Sequence, residues 1–191
     1  MNPSPRSRRR SPDPDRGGSR TKISAGLMRI FDVGTLIIGD SGIGKSESSA
    51  ELISRGHKFV SDDIVILGKS PRGRLIGAAP PLSRDFMELR GLGIINIREV
   101  FGPQAIRRSS GIDLVIRLRK WARGKACERL GLDIPADEDI LGVKVPLLNI
   151  PVAPGRNIAT LIEIACRVHV LKKKGYHAPR EIVRRLEKAM G

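Results

Sequence analysis

Hardly any core-forming side chains occur before residue 21, where Pro, Ser, Arg, Gly and Asp dominate, and such a segment cannot bury enough apolar surface to fold. From Ile23 the character changes. Gly34-Thr-Leu-Ile-Ile38 reads as a short buried strand, and the segment after Gly44 reads as a helix ending near Gly56. Lys58 to Val60 and Ile64 to Leu67 form a second β region, interrupted by the polar Ser61-Asp62-Asp63. Gly73 to Ala78 predicts a further strand before Pro80-Pro81. Asp113-Leu-Val-Ile-Arg-Leu-Arg119 alternates like a half-buried strand, and Val143 to Ile150 is another, bounded by Pro151. Asn157 can cap a helix whose apolar positions Ile158, Leu161, Ile162, Ala165 and Val168 recur at helical spacing. A last amphipathic helix starts at Pro179, with Ile182, Val183, Leu186 and Met190 on one side. No internal repeat is visible.

Composition bounds this picture. The 191 residues with 40% apolar content suit one α/β domain, over 23–191, behind a basic disordered tail, 1–22. The formal charge of +15 sits mostly at the ends. Residues 1–22 carry seven Arg and Lys against Asp13 and Asp15, and residues 167–191 carry eight against Glu181 and Glu187. Such ends attract polyanions through a salt-screened term, but no nucleic-acid reading module accompanies them, which argues against a specific nucleic-acid role. Cys127 and Cys166 are isolated, so neither a disulfide framework nor a metal spacing is present, and a reducing cytoplasm fits best. No apolar run approaches the roughly 20 residues of a membrane helix, and no apolar stretch follows the basic start as in a secretory signal. The expectation is a cytoplasmic protein without a membrane partner.

The chemistry-bearing motif is Gly39-Asp40-Ser41-Gly42-Ile43-Gly44-Lys45-Ser46, a complete G-x-x-x-x-G-K-S phosphate loop between the predicted strand and helix. Its glycines let backbone N–H groups turn towards phosphate oxygens, and the helix N-terminus adds partial positive charge. Lys45 would reach the β and γ phosphates, and the Ser46 hydroxyl would ligate Mg²⁺. Asp62 and Asp63 close the next β region, where a carboxylate can meet the metal or accept a proton from an attacking hydroxyl. Adjacent acids in a strand point to opposite faces, so they should not share one job. Taken alone, Glu88 and Arg90 read as surface groups, Arg129 and Arg156 as solvated cations, and His57 as a structural group at a helix end.

Together these segments resemble the C-terminal catalytic domain of the HPr kinase/phosphorylase family. The resemblance runs from about residue 23 to about residue 170 and rests on four blocks in the family's order. They are residues 39–47, Arg55-Gly-His-Lys-Phe-Val-Ser-Asp-Asp63, Glu88-Leu-Arg-Gly-Leu-Gly-Ile-Ile-Asn96 and Ile150-Pro-Val-Ala-Pro-Gly-Arg-Asn157. It implies an α/β P-loop domain of the type shared with phosphoenolpyruvate carboxykinase. It also implies Mg-ATP-dependent phosphorylation of a serine on HPr, possible reverse phosphorolysis, and assembly as a homo-hexamer. On the same ground Asp63 would be the proton acceptor and donor, Ser46 and Glu88 would hold Mg²⁺, Lys45 would neutralise the phosphates, and Arg129 would be the catalytic arginine. Residues 87–96 match the region tied to both activities, and 151–156 the region tied to dephosphorylation.

Three departures qualify the resemblance. The basic tail stands where the family carries an N-terminal domain. Ser24 occupies the place of the family's catalytic His, and a hydroxyl cannot take up a proton near neutral pH as imidazole can. Ala153 replaces the first Arg of the family's Pro-Val-Arg-Pro-Gly-Arg segment. These changes predict a kinase with weakened phosphorolysis, or a member that binds nucleotide with little turnover. A P-loop kinase of a small-molecule hydroxyl is the other enzyme reading.

Overall fold

The computed structural model describes residues 19–121 and 136–190. In chain order the elements are β1 (Arg20–Ser24), β2 (Gly26–Ile30), β3 (Val33–Ile38), α1 (Lys45–Ser54), β4 (Lys58–Ser61), β5 (Ile64–Lys69) and β6 (Leu75–Ala78). They continue with β7 (Phe86–Leu89), β8 (Gly93–Asn96), α2 (Ile97–Phe101), β9 (Ser109–Gly111) and β10 (Leu114–Lys120). The last are β11 (Asp137–Ile140), β12 (Val143–Val152), α3 (Ile158–Lys173) and α4 (Ala178–Met190). Every strand and helix predicted from the sequence is present, with ends shifted by a residue or two. One boundary needs correction: β12 runs through Pro151 to Val152 instead of stopping before the proline. Residues 147–152 of β12 lie beyond the pairing with β11, whose register ends at Pro146, so on that side no ladder requires the N–H that Pro151 lacks.

A six-stranded sheet in the order β11-β12-β10-β3-β2-β4 forms the centre. A four-stranded antiparallel sheet, β1-β5-β6-β9, covers one face, and α1 and α3 cover the other; β7 and β8 form a separate hairpin. Neighbouring residues on the central strands bury themselves in opposite cores. Met28, Ile37 and Ile116 pack with Leu52 and Ile162 under the helices, while Leu27, Leu36 and Val115 pack with Val65 and Leu67 under the second sheet. Burial on both faces is why these strands read as continuous apolar runs. The two sheets approach so closely at Gly34 that a Cβ there would lie 1.6 Å from the Gly111 carbonyl oxygen.

The topology gathers one edge of the central sheet for chemistry. β10 is parallel to β3 and to β12, and β4 is parallel to β3 because β2 is antiparallel to both. The carboxyl ends of four parallel strands therefore emerge together, where ligands of open α/β sheets bind. β3 leads there into the phosphate loop, β4 into Asp62 and Asp63, β10 into Trp121, and β12 into residues 153–157. Among the described residues no helix is long and apolar enough to cross a membrane.

Candidate active site

The phosphate loop turns on glycines in the left-handed region, Gly42 at φ 74° and Gly44 at φ 102°, which other residues enter only with strain. Gly44 caps α1, and Ile43 anchors the loop in the core beneath the helices. Against β10, a side chain at Gly39 would meet the Leu118 carbonyl oxygen at 2.8 Å. Lys45 Nζ donates to the carbonyl oxygens of Gly39 at 2.8 Å and Asp40 at 3.0 Å. Both acceptors are neutral, and an anionic oxygen brought to the loop would add a Coulombic attraction to Lys45 that these carbonyls lack.

The two acids separate as the sequence predicts, although neither lies in a strand: they occupy the bend between β4 and β5. Asp62 is buried and accepts from Ser46 Oγ at 2.9 and 3.2 Å. Burial pushes its carboxyl above the ordinary range against the opposing Ser46 hydrogen bond, and the neighbouring Asp63 charge adds to the rise. Asp63 is exposed and held at φ 64°. Sequence reasoning singled out Ser46 and missed its partner. Two adjacent acids do not reveal which one turns inward, and the pairing spans sixteen residues.

Hard oxygen donors suit Mg²⁺, which is usually held by one or two carboxylates together with phosphate oxygens and waters. Ser46 Oγ and the Asp62 carboxylate make such a pair, so the residues present fit that ion. Among the described residues no group of three or more His, Cys, Asp or Glu side chains forms a closed protein cage. Glu88 is exposed on β7, which is fixed by the buried Met87 in the same core cluster as Ile43. Arg90, in the turn after β7, lays its guanidinium against the phosphate loop, with Nη2 2.9 Å from where a Cβ on Gly42 would lie. The surface reading of Arg90 thus acquires a contact that only the folded hairpin supplies. Arg129 lies outside the described residues.

Ser24 stands beside Asp63. It pairs with Ile64 in the β1–β5 ladder, and the next N–H, of Ala25, donates to the Asp63 carbonyl oxygen at 2.9 Å. On the β12 side, Arg156 Nη1 folds back to the Pro151 carbonyl oxygen at 2.9 Å, and its guanidinium lies 5.6 Å from the centre of the Trp121 ring. Asn157 caps α3 by accepting from the Thr160 N–H at 2.7 Å and donates to Glu51 Oε1 on α1, also at 2.7 Å. His57 is buried, with Nε2 2.8 Å from Glu163 Oε1 and its ring edge-on to Phe31, which is the structural role expected of it.

A family model described as the HPr serine kinase C-terminal domain matches residues 18–186. The HPr kinase/phosphorylase of Thermoanaerobacter sp. (strain X514) is 44% identical over 171 residues, covering 88% of this chain and 55% of that protein. The HPr kinase/phosphorylase of Geobacter sulfurreducens is 46% identical over 168 residues, covering 87% of this chain and 52% of that protein. Among solved structures, the Hpr(Ser) kinase/phosphatase from Coxiella burnetii superposes with a TM-score of 0.75 at 35% identity, over 85% of this chain and 98% of that one. The chain spans about half the length of the curated relatives it matches.

Proposed function

The chain belongs to the HPr serine kinase C-terminal domain family, and from that premise we propose that it transfers the γ-phosphoryl group of ATP to a serine hydroxyl of the phosphocarrier HPr. The observation that carries this reading is the 2.9 Å contact between Ser46 and Asp62 at the foot of the phosphate loop, with Asp63 next in the chain and open to a substrate.

In this reading the loop N–H groups and Lys45 bind the phosphates of ATP, while Ser46, Asp62 and Glu88 would hold Mg²⁺, which would supply neutralisation of the phosphate charge. Asp63 accepts the seryl proton as the serine oxygen forms its bond to the γ phosphorus, and the bond from that phosphorus to the bridging oxygen breaks to release ADP. Arg129 stabilises charge on the transferring group, as the family's pattern implies. In the reverse direction inorganic phosphate takes the phosphoryl group, and Asp63 returns the proton to serine. Because position 24 offers a hydroxyl beside Asp63 and position 153 lacks a cation, phosphorolysis is the weaker direction. The same reading gives a cytoplasmic homo-oligomer, a hexamer by family pattern.

Incubation with γ-labelled ATP, Mg²⁺ and HPr tests the proposal. Label should appear on a serine of HPr and fall by about two orders of magnitude or more in Asp63→Asn. Label on a small metabolite instead would replace the protein substrate. Nucleotide binding without transfer would favour a binding member with little turnover, the second reading that Ser24 supports. Robust phosphate-dependent release from seryl-phosphorylated HPr would overturn the weakened reverse reaction.

A further inference from the structure

A cleft of about 780 Å³ opens at the amino-terminal edge of the central sheet, opposite the phosphate loop. Its wall includes Asp32 and Asp113, just before β3 and β10, and Val143 at the start of β12. β3 alone, six residues long, separates this edge from the loop by about 20 Å at roughly 3.3 Å per residue. The cleft therefore shares no residue with the site described above.

Its lining is unbalanced in charge. Arg29, Arg72, Arg74, Lys144 and Lys173 face two acids, and both acids are engaged. Asp32 pairs with Arg29 at 3.3 Å, and Asp113 accepts the Gly34 N–H at 2.9 Å while lying 3.7 Å from Lys173 Nζ. Arg72 and Arg74, on the β5–β6 turn, and Lys144, on β12, form no ion pair among the described residues, although Lys144 stands opposite Asp139 in the β11–β12 ladder. The β5–β6 turn is held by the Gly73 N–H to the Ser70 carbonyl and by the Arg74 N–H to Ser70 Oγ at 3.0 Å. Two anchored elements thus present three cations that lie outside any ion pair to one concave space, and cations so arranged raise the local potential for anions.

We propose that this cleft is a second anion-binding site, separate from the phosphate loop, for a small free polyanion carrying adjacent phosphate groups. Arg72 and Arg74 supply forked donors that match phosphate oxygens, and Lys144 supplies a point charge from the facing wall. The assignment stands independently of the reaction proposed above, because none of its residues takes part in that reaction.

Calorimetric titration of the full chain with inorganic pyrophosphate tests it, with the phosphate loop saturated by Mg²⁺ and a non-hydrolysable ATP analogue. Binding should persist with the loop filled, and weaken about tenfold or more in Arg72→Ala/Arg74→Ala and separately in Lys144→Ala, with affinity for the analogue unchanged. These side chains are exposed on one turn and on β12, and a circular dichroism melt confirms that each variant is folded. Binding that vanishes when the loop is filled, or that survives both variants, overturns the site. Phosphoinositide-containing vesicles form the second arm: binding to vesicles without binding to free pyrophosphate would also overturn it, in favour of a membrane headgroup.

Discussion

Asp62 and Asp63 are adjacent and do opposite things. Asp62 is buried against Ser46 and its carboxyl is pushed upward by burial, so its charged form is disfavoured at the foot of the phosphate loop. A folded-state carboxyl pKa raised above its unfolded value contributes stability below the unfolded value of 3.8 that is lost as pH rises through the folded value. Asp62→Asn should therefore be at least as heat-stable as the parent at pH 7 without Mg²⁺, gain less on adding Mg²⁺, and lose the proposed transferase activity by about 10²-fold or more. Thermal melts with and without Mg²⁺, beside the labelling assay, check this; a large loss of stability would contradict it. Ser24→His returns an imidazole to the position beside the Asp63 backbone and should raise turnover by about tenfold if proton handling limits the rate. Steady-state rates across pH 6 to 8 measure it, and an unchanged profile counts against that account. The phosphate loop was legible because its chemistry is local, eight consecutive residues between a strand and a helix. The Ser46–Asp62 pair and Arg90 over Gly42 were not, because each contact joins segments separated in sequence.

α1 and α3 are tied at their ends by a polar clamp. Glu163 on α3 receives both Arg55 and His57, and Asn157 reaches Glu51. Burial raises the Glu163 carboxyl, but hydrogen bonds from His57 and Arg55 outweigh it and hold the group below its ordinary range. A lowered carboxyl pKa contributes stability present above the unfolded value of 4.5 and lost as pH falls through the folded value. Glu163→Ala leaves the buried His57 without its partner and should cost about 2 kcal/mol at pH 7, with parent and variant converging below pH 4.5, as read by urea denaturation. Where the two sheets touch, Gly34→Ala would drive a Cβ into the Gly111 carbonyl, and the sheets must separate to admit it. A loss of about 3 kcal/mol or more is expected, visible as a lowered urea midpoint or as insoluble expression. The strands β3 and β10 were legible from their apolar runs. β7 and β8 were not, since each has only four residues and apolar side chains stand on both faces, with Met87, Leu89 and Ile95 turned inward while Phe86 and Ile94 stay exposed.

Cys166 lies fully buried between α3 and β3, 3.3 Å from Thr35 Oγ1, and burial pushes its thiol up to about 11. At pH 8 only about one such thiol in a thousand is ionised, so reaction with a thiol reagent must await opening of the core. In a Cys127→Ala background, labelling of Cys166 should be slow in buffer and complete in denaturant; rapid labelling in buffer would mean that the helix layer opens without global unfolding. The longer-range assembly explains the division between what was readable and what was not. Residue order alone determined that a strand, a glycine loop and a helix would follow one another, that they belong to an α/β domain, and that four motif blocks lie in one family's order, since each depends on neighbouring residues and their periodicity. Only the tertiary structure decided that four parallel strands end at one edge, bringing Asp62 and Asp63 to the loop. It also placed Ser24 beside Asp63 and opened a cationic cleft at the far edge, because strand order and direction are set by packing on both faces of the central sheet and not by local sequence.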